Sequence, residues 1–374
     1  KNIMRKQIAI IEGDGIGPEI VHQAVKVLDA ISYRFDHDFK LTPVDMGACA
    51  IDKYGVPITD KDLEICANSD AVLLGAIGDP KYDNDPTLTV RPEQGLLKLR
   101  QHLGLYCNIR PIQTYASISP SSPLKDHLLK DIDFVIYREL IGGIYFGTKT
   151  LSEDQTVASD LCSYSVEQIE QITHEAFKAA EQRRKKVTLV DKANVLETSR
   201  LWRKEVTRIA KQYPTVTLDF LFVDNAAMQI IQQPGSFDVI LTENMFGDIL
   251  SDLASVITGS IGMLPSASVG GENGLFEPIH GSYPQAKGLD IANPNATILA
   301  VAMLLEHFEM FEEAKVVREA VDWAIEENIV SVDLSPESPS SCSLIGDLIA
   351  NYIEDLGVVT INKRNTEESK GVLI

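Results

Sequence analysis

The sequence predicts an α/β protein of one or two lobes, on three observations. Strand-like apolar runs alternate with helix-like runs over most of the length. The 374 residues exceed what one small core organises. The hydrophobic and charged fractions, 44% and 24%, are those of an ordinary globular chain, so neither disorder nor a fibrous repeat is expected.

The first run, Ile8-Ala9-Ile10-Ile11, leads into Glu12-Gly13-Asp14-Gly15-Ile16-Gly17-Pro18-Glu19 and reads as strand, glycine turn, helix. Pro18 suits a first helical position, where no N–H is needed. The apolar run breaks at Glu12, too early for a signal segment, so a first strand is expected. A strand near 40–46, a helix near 60–68 and a strand from Ala71 follow, with Asp36 and Asp38 in a loop-like stretch. From Pro111 to Pro123 the texture turns Pro- and Ser-rich, as in a connection between lobes. A second lobe then reads as a strand from Asp133, a projecting hairpin up to Tyr164, a helix over 166–184 and a strand over 186–192. A helix over 196–212 and a strand over 217–224 complete it. Gly259 to Gly274 returns the chain to the first lobe. The last fifty residues read as helical, with 362–374 a loosely held tail. The longest apolar run, Ala296 to Leu305, covers half a bilayer and ends at Glu306-His307, so no membrane span is expected.

A net charge of −20 argues against a general nucleic-acid or anionic-membrane surface, so an anionic ligand needs a local basic cluster. The five cysteines are scattered, with no C-x-x-C. That pattern fits a reducing cytoplasm and offers neither a disulfide framework nor a thiolate metal site.

Four groups of residues bear chemistry. Asp248 and Asp252 lie four apart, on one face of a helix, among Ile249, Leu250, Leu253, Val256 and Ile257. Oxygen ligands few in number suit Mg²⁺ or Mn²⁺; the alternative is a pair of first-turn aspartates favoured by the helix dipole. Arg100, Arg110 and Arg138 each sit beside apolar sequence, Arg138 at the C-terminal end of a buried strand. Three guanidiniums can clamp a di- or tricarboxylate bidentately, or each can pair with a local carboxylate such as Glu139. Lys192 ends a strand, and Tyr145 lies among glycines. Asp224, at the end of another strand, is a third oxygen ligand or a structural partner of Lys192. The loop from Glu277 to Asn293 offers small residues, His280 and amides suited to a nucleotide. The Gly13 turn is not G-x-G-x-x-G, and no acidic residue ends a second strand about 20 residues on, so a plain tight turn is expected in place of a Rossmann site.

Taken in order, GDGIGPE, RPEQGLLKLR, NIRP, YRELIGGIYFG, DKANVLE, FVDNAAM, FGDILSDLAS, PSAS, FEPIHGS and IANP resemble the β-decarboxylating dehydrogenases of the isocitrate/isopropylmalate dehydrogenase family. The resemblance runs from Ile8 to about Leu305. It implies a two-domain α/β fold with mixed sheets flanked by helices, not Rossmann. The implied division is a cofactor domain of residues 1–106 and 260–374 and a substrate, metal and dimerisation domain of residues 107–259. It further implies that Arg100, Arg110 and Arg138 hold substrate carboxylates, that Asp224, Asp248 and Asp252 hold Mg²⁺ or Mn²⁺, and that Tyr145 and Lys192 transfer protons. Lys192 and Asp224 would come from the second subunit of a homodimer. NAD would lie on Gly78, Glu93, Glu277, His280, Gly281, Ser282, Gln285, Ala286 and Asn293.

The expected reaction is oxidation of a 2-hydroxy dicarboxylate with loss of CO₂. The resemblance implies that Glu93, Leu96 and Leu97, in the run where isocitrate dehydrogenases usually place a serine and an asparagine on the γ-carboxylate, face the variable part of the substrate. Two leucines pack a branched alkyl group and would desolvate a third carboxylate at a cost of several kcal/mol. An isopropyl substituent is therefore expected, with D-malate, tartrate, homoisocitrate and isocitrate as alternatives. A catalytically silent homologue would be free to lose some of these groups, and all are present. One departure concerns the cofactor: Gln285 stands where NAD-linked relatives commonly have an aspartate on the ribose. An amide still hydrogen-bonds a ribose hydroxyl but lacks the charge that repels a 2′-phosphate.

Overall fold

The computed structural model describes residues 3–84 and 87–355. The chain opens with β1 (Arg5–Gly13), α1 (Gly17–Phe35), β2 (Asp38–Pro43), α2 (Ala48–Tyr54), α3 (Asp60–Ala67), β3 (Ala71–Ala76), α4 (Pro80–Asp83) and α5 (Glu93–His102). It continues through β4 (Cys107–Gln113), β5 (Asp133–Glu139), β6 (Lys149–Leu151), β7 (Ala158–Asp160), α6 (Val166–Glu181), β8 (Lys186–Asp191), α7 (Glu197–Ala210) and β9 (Thr217–Phe222). Then come α8 (Val223–Gln232), β10 (Val239–Thr242), α9 (Asn244–Thr258), β11 (Pro265–Val269), β12 (Gly274–Pro278), α10 (Asn295–His307), α11 (Phe311–Glu326) and α12 (Cys342–Glu354).

One ten-stranded sheet runs through the molecule in the order β2-β1-β3-β12-β11-β4-β5-β10-β8-β9. Its flanks are parallel and its centre, β12-β11-β4-β5, is antiparallel. The two parallel halves therefore run in opposite directions, which no Rossmann sheet does. β6 and β7 form a separate antiparallel hairpin, as the alternation near Tyr164 predicts. Helices cover both faces. On one, α1, α10, α11 and α12 build the largest core around Leu28, Leu304, Val317 and Ile349. On the other, Leu63, Leu74 and Leu99 form one core and Ile136, Ile230, Leu250 and Ala254 another. α6 and α7 close the remaining face of the second half through Phe177, Trp202 and Val206.

Strand register places a polar seam between the two cores of that second face. Side chains directly opposite in an antiparallel pair share a face, as do residues two apart in one strand. Glu277 stands opposite Ser266, Ser268 opposite Asn108, and Asn108 opposite Arg138, with Arg110 two residues on from Asn108. All six are buried. A buried polar stripe in the middle of a sheet is costly unless its members satisfy one another, and these do so below.

Several sequence expectations need correction. Asp224 does not end a strand; it sits in the first turn of α8. The strand expected over 40–46 is β2, which Asp38 opens. Pro111 to Gln113 belong to β4, not to a connection, because Pro111 lies beyond the rungs paired with β11 and no N–H is required of it there. Within the last fifty residues α11 and α12 are separated by a non-helical stretch over 328–341. Ile249, one of the apolar residues around the aspartate pair, is 58% exposed, so the helix is not buried on all sides. The apolar run from Ala296 is the body of α10, buried all round, and among the described residues no helix is long and apolar enough to cross a membrane. The tail expected over 362–374 lies outside the described residues.

The glycine turn after β1 is more than a tight turn. A Cβ at Gly13 would lie 1.9 Å from the Ala76 carbonyl oxygen, so only glycine lets β1 and the end of β3 close on each other. Asp14 then accepts from the N–H groups of Ala48 (2.9 Å), Cys49 (3.0 Å) and Gly78 (2.9 Å), fastening the α2 N-terminus and the loop after β3. Gly78, expected at a nucleotide, is thus bound to Asp14. Asp14→Ala strands three buried or half-buried donors and is expected to lower unfolding free energy by about 2–4 kcal/mol, read as a lower urea midpoint with unchanged slope.

Candidate active site

Five side chains converge on the polar seam. Arg138, at the end of β5, donates through Nη1 to Asp248 Oδ1 on α9 at 2.6 Å. Its Nε and Nη2 donate to Asn244, at 2.9 Å to the backbone oxygen and 2.8 Å to Oδ1. Arg110 on β4 donates to Asn108 Oδ1 (2.6 Å) and Ser251 Oγ (2.5 Å), and its Nη1 lies 3.4 Å from Asp248 Oδ1. Arg100, near the end of α5, pairs with Glu277 at 2.7 Å while its buried Nε has no partner. Tyr145 donates its hydroxyl to Asp248 Oδ2 at 3.0 Å. Glu139, the local carboxylate considered for Arg138, instead accepts from the N–H groups of Ile141 and Gly142.

The approach of α9 to the sheet depends on Gly247. A Cβ there would fall 2.6–2.7 Å from Cγ and Cβ of Arg138, so the helix lies directly on the arginine stem. α9 starts at that level because Glu243 caps it, accepting from the Phe246 N–H. Asp248 is therefore in the second turn, so the first-turn reading of the aspartate pair does not hold.

The cluster sets its own charge states. Burial alone would raise Asp248, but Arg138, Arg110 and the Tyr145 hydrogen bond bring it below its ordinary value, so it is ionised at neutral pH. Burial raises Asp252, with Arg110 opposing and Asp248 adding to the rise. Burial and the Asp248 charge push the Tyr145 phenol up to about 12, which keeps its proton in place as a donor. Burial and the adjacent Arg110 pull Arg138 down, Asp248 opposes them, and a guanidinium so placed keeps its charge.

Lys192 and Asp224 lie apart from this cluster. They pair with each other at 2.6 Å, between the end of β8 and the start of α8, with Asp224 exposed. The lysine holds the Asp224 carboxyl below its usual range. Among the described residues no three His, Cys, Asp or Glu side chains of one chain come together as a metal site. Asp248 and Asp252 supply two carboxylates one turn apart, which suits an octahedral cation that keeps waters and substrate in its shell. Exposed apolar side chains occur near Lys192 and Asp224 in sequence and on the aspartate helix: Val195 is 61%, Met228 56% and Ile249 58% exposed.

Two cavities meet at His280 and Gly281. The smaller, about 160 Å³, holds Arg100, Arg110, Glu277, Glu93, Leu96 and Ile77. Leu97 does not line it, since one residue along a helix turns the side chain away. The larger, about 480 Å³, is bounded by Ile16, Gly262, Tyr283, Asn293 and Asp333 among others. His280 Nε2 is buried without a partner there, and burial pushes its imidazole down, so it is neutral. Of the remaining residues expected at a nucleotide, Gln285 is exposed and Ser282 accepts from the Ile16 N–H through its carbonyl. The Ala286 side chain is buried against Ile16, Ile20, Ala292 and Cys342.

A family model described as isocitrate/isopropylmalate dehydrogenase matches residues 7–349. The chain belongs to that family. It is 50% identical to a 3-isopropylmalate dehydrogenase of Bacteroides fragilis over 349 residues, 93% of this chain and 98% of the relative. A 3-isopropylmalate dehydrogenase of Clostridium acetobutylicum is 52% identical over 336 residues, 88% and 94% of the two chains. The fold matches the crystal structure of isocitrate dehydrogenase from Methylococcus capsulatus with a TM-score of 0.84 at 34% identity, covering 93% of this chain and 99% of that one. Membership of the isocitrate/isopropylmalate dehydrogenase family implies a β-decarboxylating dehydrogenase that requires a dinucleotide and a metal and acts on a dicarboxylate.

Within this family member, Asn108, Ser251, Asn244 and Asp333 were missed by sequence reasoning. Amides and serines carry no charge pattern, and only strand register shows that Asn108 shares a face with both arginines. Gly247→Ala would push α9 off Arg138 and misplace Asp248. It is expected to lower kcat/KM by about 10²-fold in steady-state assay, with the thermal midpoint falling by only a few degrees.

Proposed function

We propose that this chain is an NAD-linked 3-isopropylmalate dehydrogenase, oxidising and decarboxylating (2R,3S)-3-isopropylmalate to 4-methyl-2-oxopentanoate and CO₂ in leucine biosynthesis. The observation that carries the substrate assignment is the cavity that sets Leu96 and Ile77 beside Arg100 and Arg110. The guanidiniums take carboxylates and the aliphatic wall takes the isopropyl group. Glu93 lines the same wall, so the γ-carboxylate of isocitrate would meet a like charge as well as a desolvation cost.

In this scheme Arg110 and Arg138 hold the carboxylate nearest the reacting carbons, and Arg100, through its unpartnered Nε, holds the other. A divalent cation on Asp248 and Asp252, when bound, would acidify the 2-hydroxyl and stabilise the negative charge that decarboxylation develops. NAD, in the larger cavity that joins the substrate cavity at His280 and Gly281, would accept the hydride. Asn293 and His280 suit the adenine end of that groove. Tyr145, kept protonated, delivers a proton to the carbon that loses CO₂. Asp224 of a second copy would add an oxygen to the cation's shell, and Lys192 of that copy, as the neutral amine, would take the hydroxyl proton. The exposed Val195, Met228 and Ile249, on α9 and near Lys192 and Asp224 in the sequence, are the apolar side chains such a homodimer would cover.

Cofactor reduction, followed at 340 nm with Mg²⁺, is expected to proceed at least about tenfold faster in kcat/KM with 3-isopropylmalate than with D-malate or isocitrate. Chelation should abolish it and Mn²⁺ restore it. Equal turnover of the three substrates would refute the assignment of the aliphatic wall. NADP run in parallel tests Gln285: the amide predicts a weaker preference for NAD than Gln285→Asp shows.

A further inference from the structure

Asn244 joins the two halves of the candidate site. It is 1% exposed, and its backbone N–H and oxygen, Oδ1 and Nδ2 each make a hydrogen bond. Oδ1 accepts from Arg138 Nη2 (2.8 Å) and Nε (3.2 Å), and the backbone oxygen accepts from Nε. Nδ2 donates to the Gly142 carbonyl oxygen at 3.1 Å. Its N–H donates to the Tyr164 hydroxyl (3.0 Å), which donates to Glu243 Oε2 (2.9 Å). One amide thus grips the guanidinium that pairs with Asp248 and, by its other end, the Gly142–Gly143 turn three residues before Tyr145.

The turn has little freedom of its own. A Cβ at Gly142 would strike the Tyr164 ring at 2.7 Å, and one at Gly143 its hydroxyl oxygen at 2.2 Å, so the backbone packs closely against that side chain. Gly143 N–H also donates to the Ser163 carbonyl (3.0 Å). Farther on, Lys149 Nζ donates to the carbonyl oxygens of Ile144 (3.2 Å) and Tyr145 (2.9 Å). The segment carrying Tyr145 is fixed from the α9 side by Asn244 and Tyr164 and from the hairpin side by Lys149.

We propose that Asn244 is a positioning residue with two separable duties: its carbonyl oxygen aims Arg138 for substrate binding, and its amide NH₂ sets the distance of the Tyr145 hydroxyl for proton delivery. The inference rests on the roles given above to Arg138 and Tyr145. Geometry of this kind governs rate steeply, since displacements near 1 Å can cost about 10²-fold.

The duties come apart in Asn244→Asp. A carboxylate still accepts from Arg138 but replaces the donor to Gly142 with an oxygen facing an oxygen. Wild-type turnover is measured first, and its absence with every substrate and cofactor would overturn the proposed function, not this inference. Relative to the wild type on its best substrate, Asn244→Asp is expected to keep KM within about threefold while kcat falls about tenfold or more. Asn244→Ala should change both. In a Tyr145→Phe background the kcat effect of Asn244→Asp should vanish, because the group it positions is gone. An unchanged kcat in Asn244→Asp, or an equal loss with and without the Tyr145 hydroxyl, would overturn the inference. If Asn244→Ala does not fold, the isosteric Asn244→Asp alone decides.

Discussion

The ion pair between Arg138 and Asp248 is the constraint around which the rest of the site is arranged. An arginine 3% exposed is tolerable only if its charge is matched and its nitrogens find acceptors. Asp248 provides the charge and one acceptor for Nη1, and Asn244 provides acceptors for Nε and Nη2, both from the first two turns of α9. Gly247, between them in sequence, removes the side chain that would keep the helix off the sheet. The capping carboxylate of Glu243 fixes where that helix begins. Loss of any one leaves a buried cation under-satisfied, which explains why a short stretch of sequence carries so much of the chemistry.

Sheet topology decides where this pair can exist. Two parallel halves of opposite direction are stitched together by four antiparallel strands, and the stitch leaves a seam between two hydrophobic cores. Register then brings Glu277, Asn108, Arg110 and Arg138 onto one face of the seam, from strands far apart in sequence. α5 reaches it from one side with Arg100 and Leu96, and α9 from the other with Asp248 and Ser251. The same seam opens into the larger cavity through His280 and Gly281, so the arginine-lined cavity and a roomier groove share a wall. Oxidation by hydride transfer needs that juxtaposition.

Much of this was legible in the sequence, and the failures have physical causes. The alternation of runs gave the α/β class, and the i, i+4 aspartates with an arginine at a strand end located the seam's principal charges. Strand ends that run straight into helices were misplaced, as at Asp224, because β-branched and aromatic residues give no stop signal there. Leu96 and Leu97 could not be told apart until the phase of α5 was known. Asn244 and Asn108 went unseen because their function is to satisfy another residue, and an amide's partners are invisible without coordinates. The glycine turn at Asp14 was underrated for the same reason: its carboxylate serves backbone groups 34 to 64 residues away.

In one chain Tyr145 is bound to Asp248 and Lys192 is paired with Asp224, and the central proposal is that a second copy unites the two as proton-transfer groups of one site. Subunit complementation tests this directly. Tyr145→Phe and Lys192→Met variants, each nearly inactive, are unfolded together and refolded as a mixture. Random pairing in a two-fold dimer makes half the molecules hybrids with one intact site, so activity should return to about a quarter of wild type. A mixture no more active than its components would show that each chain builds its site alone and would contradict the account.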